Sequence, residues 1–340
     1  MSFAEITGQA AIKKRLINEI KGSPCHASVF TGVRGSGKHL FAHEYAKALL
    51  CSSPTDDGAC GVCPNCKYVE AKTHPDLIVL EPEKGSKIIK VTEVREKIVS
   101  DIKICPQIAK RKIYVIEADA LNEEGQNGLL KSLEEPPQDI MFIMICEDAK
   151  SLLPTVMSRT VEFKLAPCSR EEMNEFLIKE DKKTGAGKSK EELRFIADFS
   201  SGIIGRAIEL LHDEGFMKMR DEVMDIVLGI GRDTYTGVLV DRSAYFESNK
   251  DLIDDILLFI LWTLGDLDVL LKDKENKNIM NIDRRDRLLS FLKANPSVGT
   301  KNISGASSCV TTLRKRLDLK LNYGFAVRDM LLGLKKELQG

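Results

Sequence analysis

The 340-residue sequence is long enough for two or three domains, and its 43% of hydrophobic residues can fill their cores. Its 50 basic and 51 acidic residues nearly cancel, which argues against a protein that binds nucleic acid through a strong overall field. The most apolar window, residues 253–271, contains four aspartates and therefore predicts a buried helix rather than a membrane span. Since no signal peptide is predicted and nine cysteines are present, we expect a cytoplasmic protein without a membrane partner.

The first motif along the chain is a glycine-rich segment, which follows a helical pattern at residues 3–19 and an apolar run at 27–30 and precedes a helical pattern at 40–50. Its spacing is that of a phosphate-binding loop, in which backbone N–H groups and a lysine surround the anion. The position that normally supplies a hydroxyl to Mg²⁺ is His39, and imidazole is a poor ligand for this ion. We therefore expect a loop shaped for phosphate that does not hydrolyse ATP with Mg²⁺. Its candidate binding residues are Gly32, Gly35, Gly37, Lys38 and His39.

Four clustered cysteines follow within residues 51–66, in a segment rich in Gly, Pro, Ser and Asp. Four thiolates at this spacing can close around a tetrahedral Zn²⁺ and leave no open position for water. We predict a structural zinc site, and the alternative is a set of free thiols or a redox pair. The predicted ligands are Cys51, Cys60, Cys63 and Cys66.

Short apolar runs then alternate with helical patterns, which is typical of a doubly wound parallel sheet. The runs at 77–80, 112–116, 140–146 and 161–163 are predicted strands, and residues 91–104 and 122–133 are predicted helices. In such a sheet the ligand lies at the carboxyl ends of the strands, where the phosphate loop would be.

The composition changes after residue 164. Residues 169–201 are charged and helical with a flexible interruption at 184–189, and all later patterns are helical. We expect three domains: an α/β domain at 1–166, a small helical lid at 167–215 and an all-α domain at 216–340. The helical patterns of the last domain cover residues 221–228, 251–271, 284–293 and 307–338.

The order of these motifs resembles the bacterial clamp-loader subunits of the AAA+ class. The resemblance rests on the phosphate loop, the four-cysteine segment, the run N-G-L-L-K-S-L-E-E-P-P at 127–137 and Ser158-Arg159-Thr160, with Gly8-Gln9 near the start. It implies a P-loop NTPase-like AAA+ domain, a lid and a C-terminal collar through which subunits assemble. It also implies that Arg206 corresponds to the family's second sensor, which touches nucleotide in motor subunits.

Three departures separate this sequence from the motor branch of that family, gamma and tau. They are His39 at the Mg²⁺ position, Ala118 where motors carry a water-activating Glu, and Cys146-Glu147 where motors carry a sensor Thr. Phosphoryl transfer depends on such positioning and charge stabilisation. The sequence therefore resembles the delta-prime branch, whose ATPase site is degenerate.

One catalytic element matches the family pattern. Arg159 resembles the arginine that reaches the ATP of a neighbouring subunit, where a planar, permanently charged guanidinium can engage two phosphate oxygens. The resemblance further implies a hetero-pentamer with gamma/tau and delta subunits, acting on a sliding clamp and primed DNA together with DNA polymerase III.

Two alternatives stay open at this point. The chain could be a divergent motor that hydrolyses ATP with Lys38 and Asp119, or a zinc-containing DNA-binding protein that uses its loop as an anion site.

Overall fold

The computed structural model describes residues 2–339, which divide into two compact units. The first comprises the described residues up to Glu180 together with Ser200–Ile208, and the second comprises Asp181–Phe199 and the residues from Glu209 onward. The three predicted domains, with boundaries after residues 166 and 215, stay a prediction. No helix within residues 2–339 is long and apolar enough to cross a membrane.

A parallel sheet forms the centre of the first unit. Its strands within the described residues are β1 Ala27–Thr31, β2 Leu77–Leu80, β3 Lys112–Glu117, β4 Ile140–Cys146 and β5 Val161–Lys164. They lie in the order β2-β3-β4-β1-β5, and every pairing is parallel. Parallel strands require crossover connections, which the intervening helices supply. The expected α/β fold with a parallel sheet is confirmed.

Alternate residues of each strand pack on opposite faces of the sheet, and a separate hydrophobic core covers each face. Phe30 and Phe163 belong to one core, where their rings stack at 5.1 Å between centroids. Tyr114 and Phe142 belong to the other, with ring centroids 5.4 Å apart. Burial on both faces explains why the three inner strands, β1, β3 and β4, read as nearly continuous apolar runs, whereas the edge strands β2 and β5 are partly exposed.

The helices agree with most of the predicted patterns. They are α1 Ala10–Lys21, α2 Lys38–Leu50, α3 Pro64–Glu70, α4 Val91–Val94, α5 Glu123–Glu134, α6 Pro154–Met157, α7 Arg170–Thr184, α8 Lys190–Phe199, α9 Ile204–His212, α10 Glu214–Gly229, α11 Tyr235–Gly237, α12 Ser243–Ser248, α13 Ile253–Lys272, α14 Arg285–Ala294, α15 Thr300–Asp318 and α16 Tyr323–Leu338.

Three predicted helical patterns differ in the structure. The pattern at 91–104 is α-helical only over Val91–Val94 and continues as a π-helix at Arg95–Ser100 and a 3-10 helix at Asp101–Lys103. The pattern at 3–19 is broken because Gly8 and Gln9 both adopt positive φ, +68° and +56°, and helix α1 starts only after them. The pattern at 307–338 divides into α15 and α16, because Lys320 has φ +55° and the Asn322 side chain accepts a hydrogen bond from the Phe325 N–H at the start of α16.

The second unit is helical and is built around an aromatic cluster. Phe199 lies 4.8 Å from Phe259 and 5.3 Å from Trp262 between ring centroids. Beside the cluster, Arg220 is 1% exposed, stacks on the Phe195 ring and donates to the Asp283 carboxylate at 3.0 Å. A buried guanidinium of this kind requires such a partner.

A buried carboxylate anchors the loop that precedes β3. Asp76 is fully buried, and its oxygens accept hydrogen bonds from the backbone N–H groups of residues 107, 108 and 109 at 2.6, 2.9 and 2.8 Å. Burial alone would raise the pKa of Asp76, but these three hydrogen bonds outweigh it and lower the pKa. The ionised form therefore stabilises the junction between β2 and β3.

We expect Asp76→Ala to lower the free energy of unfolding by about 3 kcal/mol at neutral pH, because three buried N–H groups lose a charged acceptor. Chemical denaturation measures this loss, and Asp57→Ala, at an exposed position, is the control. Since the folded pKa is lowered, the contribution is present above the unfolded pKa and disappears as pH falls through the folded pKa. Equal stability of the two variants would contradict this account.

Candidate functional site

The predicted phosphate loop lies between the buried strand β1 and helix α2. Gly35 and Gly37 have φ values of +82° and +90°, which other residues rarely adopt. Helix α2 begins at Lys38, whose side chain is buried, 4% exposed. The Ser36 hydroxyl is also buried and has no hydrogen-bond partner among residues 2–339. The loop therefore keeps a backbone shape and uncommitted polar groups that suit an anion.

His39, at the sequence position where a phosphate loop normally supplies a hydroxyl to Mg²⁺, contacts a carboxylate at the end of β3. Its Nε2 lies 2.8 Å from Glu117 Oε1, and Glu117 is the last residue of β3. This contact joins the first turn of α2 to the carboxyl end of β3. His39 therefore offers an imidazole nitrogen where Mg²⁺ would need an oxygen ligand. The Glu117 carboxylate is already in contact with that imidazole.

The two residues after Glu117 have different environments. Ala118 is fully buried. The Asp119 carboxylate accepts from the Glu147 N–H at 2.7 Å and from the Ser151 hydroxyl at 2.9 Å, so both of its oxygens hold the loop after β4. Cys146, at the end of β4, is buried as well, and burial, reinforced by Asp119, raises the pKa of its thiol to about 12.

The segment that carries Arg206 contacts the phosphate loop through its backbone. The Gly205 N–H donates to the Gly35 carbonyl at 2.9 Å, and a Cβ on Gly205 would lie only 2.8 Å from the Gly35 Cα. Only glycine permits this approach. The assignment of Arg206 to nucleotide contact stays a prediction.

Arg159 follows the short helix α6, and its guanidinium has three partners within the chain. It lies 2.6 Å from Glu134 Oε1, and it donates to the Thr155 carbonyl at 2.7 Å and to the Ser158 hydroxyl at 3.1 Å. The side chain is 33% exposed, so the guanidinium is held in place and still reaches the surface. Sequence reasoning did not foresee the pairing with Glu134, although both residues belong to the motifs that it singled out.

The four cysteines of residues 51–66 meet at one point. Their Sγ atoms all lie within 4.8 Å of one another, with Cys51 and Cys63 separated by 3.9 Å and Cys60 and Cys66 by 4.0 Å. A tetrahedron with Zn–S bonds of about 2.3 Å has edges of about 3.8 Å. The cluster can therefore hold a metal ion.

Backbone hydrogen bonds lower the pKa of Cys60 and Cys63, whereas burial raises the pKa of Cys51 and Cys66. The N–H groups of Cys60, Cys63 and Cys66 donate to the preceding cysteine sulfurs at 3.3 to 3.4 Å. Burial opposes ionisation of Cys63, but the hydrogen bonds from Cys66 and neighbouring groups outweigh it and lower its pKa to about 6. A thiolate at neutral pH is the form that binds metal.

Comparison with known proteins identifies the family. Residues 8–169 match the profile described as DNA polymerase III, delta subunit. The gamma subunit from Buchnera aphidicola subsp. Acyrthosiphon pisum is 31% identical over 258 residues, which are 74% of this chain and 70% of that protein. The chain belongs to the family of DNA polymerase III clamp-loader subunits.

Other similar proteins match this chain to different extents. The delta-prime subunit of Pseudomonas aeruginosa is 43% identical over 40% of this chain and 42% of its own length. The chain spans about half the length of this relative and of a similar Buchnera protein: 42% of the delta-prime subunit and 57% of the gamma subunit from Buchnera aphidicola subsp. Schizaphis graminum. A gamma subunit-related structure from Thermotoga maritima aligns with 96% of this chain and 99% of its own, at 15% identity and a TM-score of 0.39.

The cysteine cluster predicts that the purified chain carries about one bound divalent metal ion, measurable by elemental analysis. Cys63→Ser should lose most of this metal and lower the melting temperature, because the segment has few other buried contacts and metal binding contributes to its folding. Cys105→Ser, at an exposed cysteine outside the cluster, is the matched control and should retain both. A metal-free wild-type chain, or equal metal in the two variants, would refute the site.

Proposed function

We propose that the chain is a delta-prime-type subunit of the bacterial DNA polymerase III clamp loader, working in the cytoplasm without hydrolysing ATP itself. The observation that carries this proposal is the 2.8 Å contact between His39 Nε2 and Glu117 Oε1. A hydrolytic site needs a hydroxyl and a carboxylate to hold Mg²⁺ at that position. Here the two side chains at this position bind each other.

The two residues that follow Glu117 also support a subunit that does not hydrolyse ATP. Ala118 offers a methyl group where a base would be required, and the Asp119 carboxylate holds the loop after β4. Positioning and electrostatic stabilisation supply almost all of the catalysis in phosphoryl transfer. Without metal, base or sensor hydroxyl, the phosphate loop of Gly32, Gly35, Gly37 and Lys38 can at most bind an anion or a nucleotide.

Arg159 gives the subunit its part in catalysis. We infer that its guanidinium reaches the ATP of an adjacent gamma or tau subunit and stabilises charge on the transferred phosphoryl group. The contacts with Glu134, Thr155 and Ser158 restrain a long side chain before the interface forms. A restrained arginine loses less entropy on binding.

The remaining partners follow from the family. We infer that the helices of residues 216–340 form this subunit's part of a pentameric collar with gamma or tau and delta. The assembled ring would open a sliding clamp and place it on primed DNA for the polymerase. The near balance of 50 basic and 51 acidic residues suits a subunit that meets DNA through the assembly.

We infer that the metal of the cysteine cluster is zinc. Four thiolates with tetrahedral spacing match a structural zinc site, and such a site has no open coordination position for chemistry. Cys51, Cys60, Cys63 and Cys66 would hold it and connect the end of α2 to α3.

In a reconstituted clamp loader, Arg159→Ala should slow ATP hydrolysis at the interface served by this subunit by about 10³-fold, because that site loses its trans arginine. Single-turnover hydrolysis with clamp and primed DNA measures the effect, and gel filtration checks that the complex assembles. Arg95→Ala, at an exposed arginine on another helix, is the control.

Unchanged turnover in the Arg159→Ala complex would refute the arginine's role. Magnesium-dependent turnover by the purified wild-type chain would instead favour the divergent motor.

A further inference from the structure

The segment that carries Arg159 is too short to fix its own position. Helix α6 covers only Pro154–Met157, and an isolated helical turn is unstable in water. Two of the Arg159 contacts, with the Thr155 carbonyl and the Ser158 hydroxyl, lie within this same segment. They fix the guanidinium relative to α6 but do not fix α6 relative to the sheet. Contacts with other elements must therefore place the arginine.

A buried amide on helix α5 holds the residue that precedes α6. Gln126 lies in the first turns of α5 and is 4% exposed. Its Oε1 accepts a hydrogen bond from the Leu153 N–H at 2.8 Å, and its Nε2 donates to the carbonyl groups of Ser151 and Leu121 at 3.1 and 3.4 Å. Leu153 is the N-cap residue of α6. The amide therefore fixes the point at which α6 begins.

The other end of α5 contacts the arginine itself. Glu134 is the last residue of α5, about two helical turns after Gln126, and its Oε1 lies 2.6 Å from Arg159 Nη2. The Arg159 Nε–H has no hydrogen-bond partner among residues 2–339, so it remains available to an oxygen of a phosphate group. Helix α5 thus holds both ends of the segment that carries the arginine.

Helix α5 is itself anchored in the first unit. Its residues Leu129 and Leu133 are buried in the same hydrophobic core as Val156 of α6. The loop before α6 is tied as well, because the Ser151 hydroxyl donates to the Asp119 carboxylate at 2.9 Å. A helix packed in this way offers fixed points from which the position of another segment can be set.

We propose that Gln126 and Glu134 are positioning residues for Arg159. Gln126 sets where α6 begins and Glu134 sets where the guanidinium lies, so helix α5 determines how far the arginine reaches beyond this chain. Both act through Arg159, and neither touches the nucleotide of the neighbouring subunit. The inference rests on the proposed role of Arg159. Misplacing a catalytic group by about 1 Å can slow a reaction about 10²-fold.

A double-mutant cycle in the reconstituted clamp loader tests this inference by single-turnover ATP hydrolysis. Gln126→Met has nearly the same volume but lacks the hydrogen bonds with residues 151–153, and Glu134→Ala lacks the ion pair. We expect each to slow hydrolysis at the interface served by this subunit at least about tenfold. Glu134→Gln, whose amide oxygen can still accept from Nη2, should stay within about twofold of wild type. In an Arg159→Ala background neither change should slow hydrolysis further.

Two controls separate positioning from a general loss of stability. Asp76→Ala removes a buried acceptor elsewhere in the first unit, and Glu124→Ala alters an exposed carboxylate on α5. Both complexes should hydrolyse ATP at the wild-type rate once gel filtration shows that they assemble. If Gln126→Met does not fold, Glu134→Ala decides the outcome, because Glu134 is 47% exposed and its loss leaves the core intact.

The outcomes distinguish this inference from the proposed function. A wild-type rate in Gln126→Met or in Glu134→Ala, in a complex that Arg159→Ala slows, would overturn the inference alone. Further slowing in the Arg159→Ala background, or equal slowing by Asp76→Ala, would also overturn it, because the residues would then not act through the arginine. Unchanged hydrolysis in Arg159→Ala would instead overturn the proposed function, and the inference would fall with it.

Discussion

Strand β1 is hydrogen-bonded to a parallel strand on each side, β4 and β5. This pairing fixes where β1 ends, and the position of the phosphate loop depends on it. All five residues of Ala27–Thr31 are buried, and their register places Thr31 opposite Cys146 of β4 and Lys164 of β5. The chain must leave the sheet immediately after Thr31, which it does through a glycine loop whose φ values suit few other residues. The register of β3 against β4 in turn places Glu117 opposite Ile145, within reach of the first turn of α2. Backbone pairing therefore brings the phosphate loop and the end of β3 together.

A few side chains distinguish this site from one that hydrolyses ATP, although the backbone is that of a nucleotide-binding fold. The His39–Glu117 contact occupies two positions whose side chains would hold Mg²⁺ in a hydrolytic site, and the Asp119 carboxylate holds the loop after β4. The Arg159 guanidinium is partly exposed and contacts Glu134 of helix α5. Under the proposed function, this arginine would complete the active site of a neighbouring subunit, while the chain's own site would not hydrolyse ATP.

Local signals in the sequence predict much of this fold. Leu77–Leu80 and Ile140–Cys146 form strands over the predicted residues, because each is an apolar run bounded by polar residues. The break of the helical pattern within 307–338 was missed, since a turn containing Lys320 leaves the apolar spacing on either side intact. Contacts between distant segments, such as His39 with Glu117 or Asp76 with residues 107–109, depend on strand register and loop paths. A single sequence shows that His39 is a poor metal ligand, but it contains no signal for its partner.

Calorimetric titration of the purified, metal-loaded chain with ATP, in the presence and absence of Mg²⁺, tests the central claim most directly. The account predicts no binding, or weak binding with the same affinity under both conditions, because the groups that would hold Mg²⁺ bind each other. Tight binding that requires Mg²⁺ would contradict it, since His39 and Glu117 would then have to separate and admit the ion.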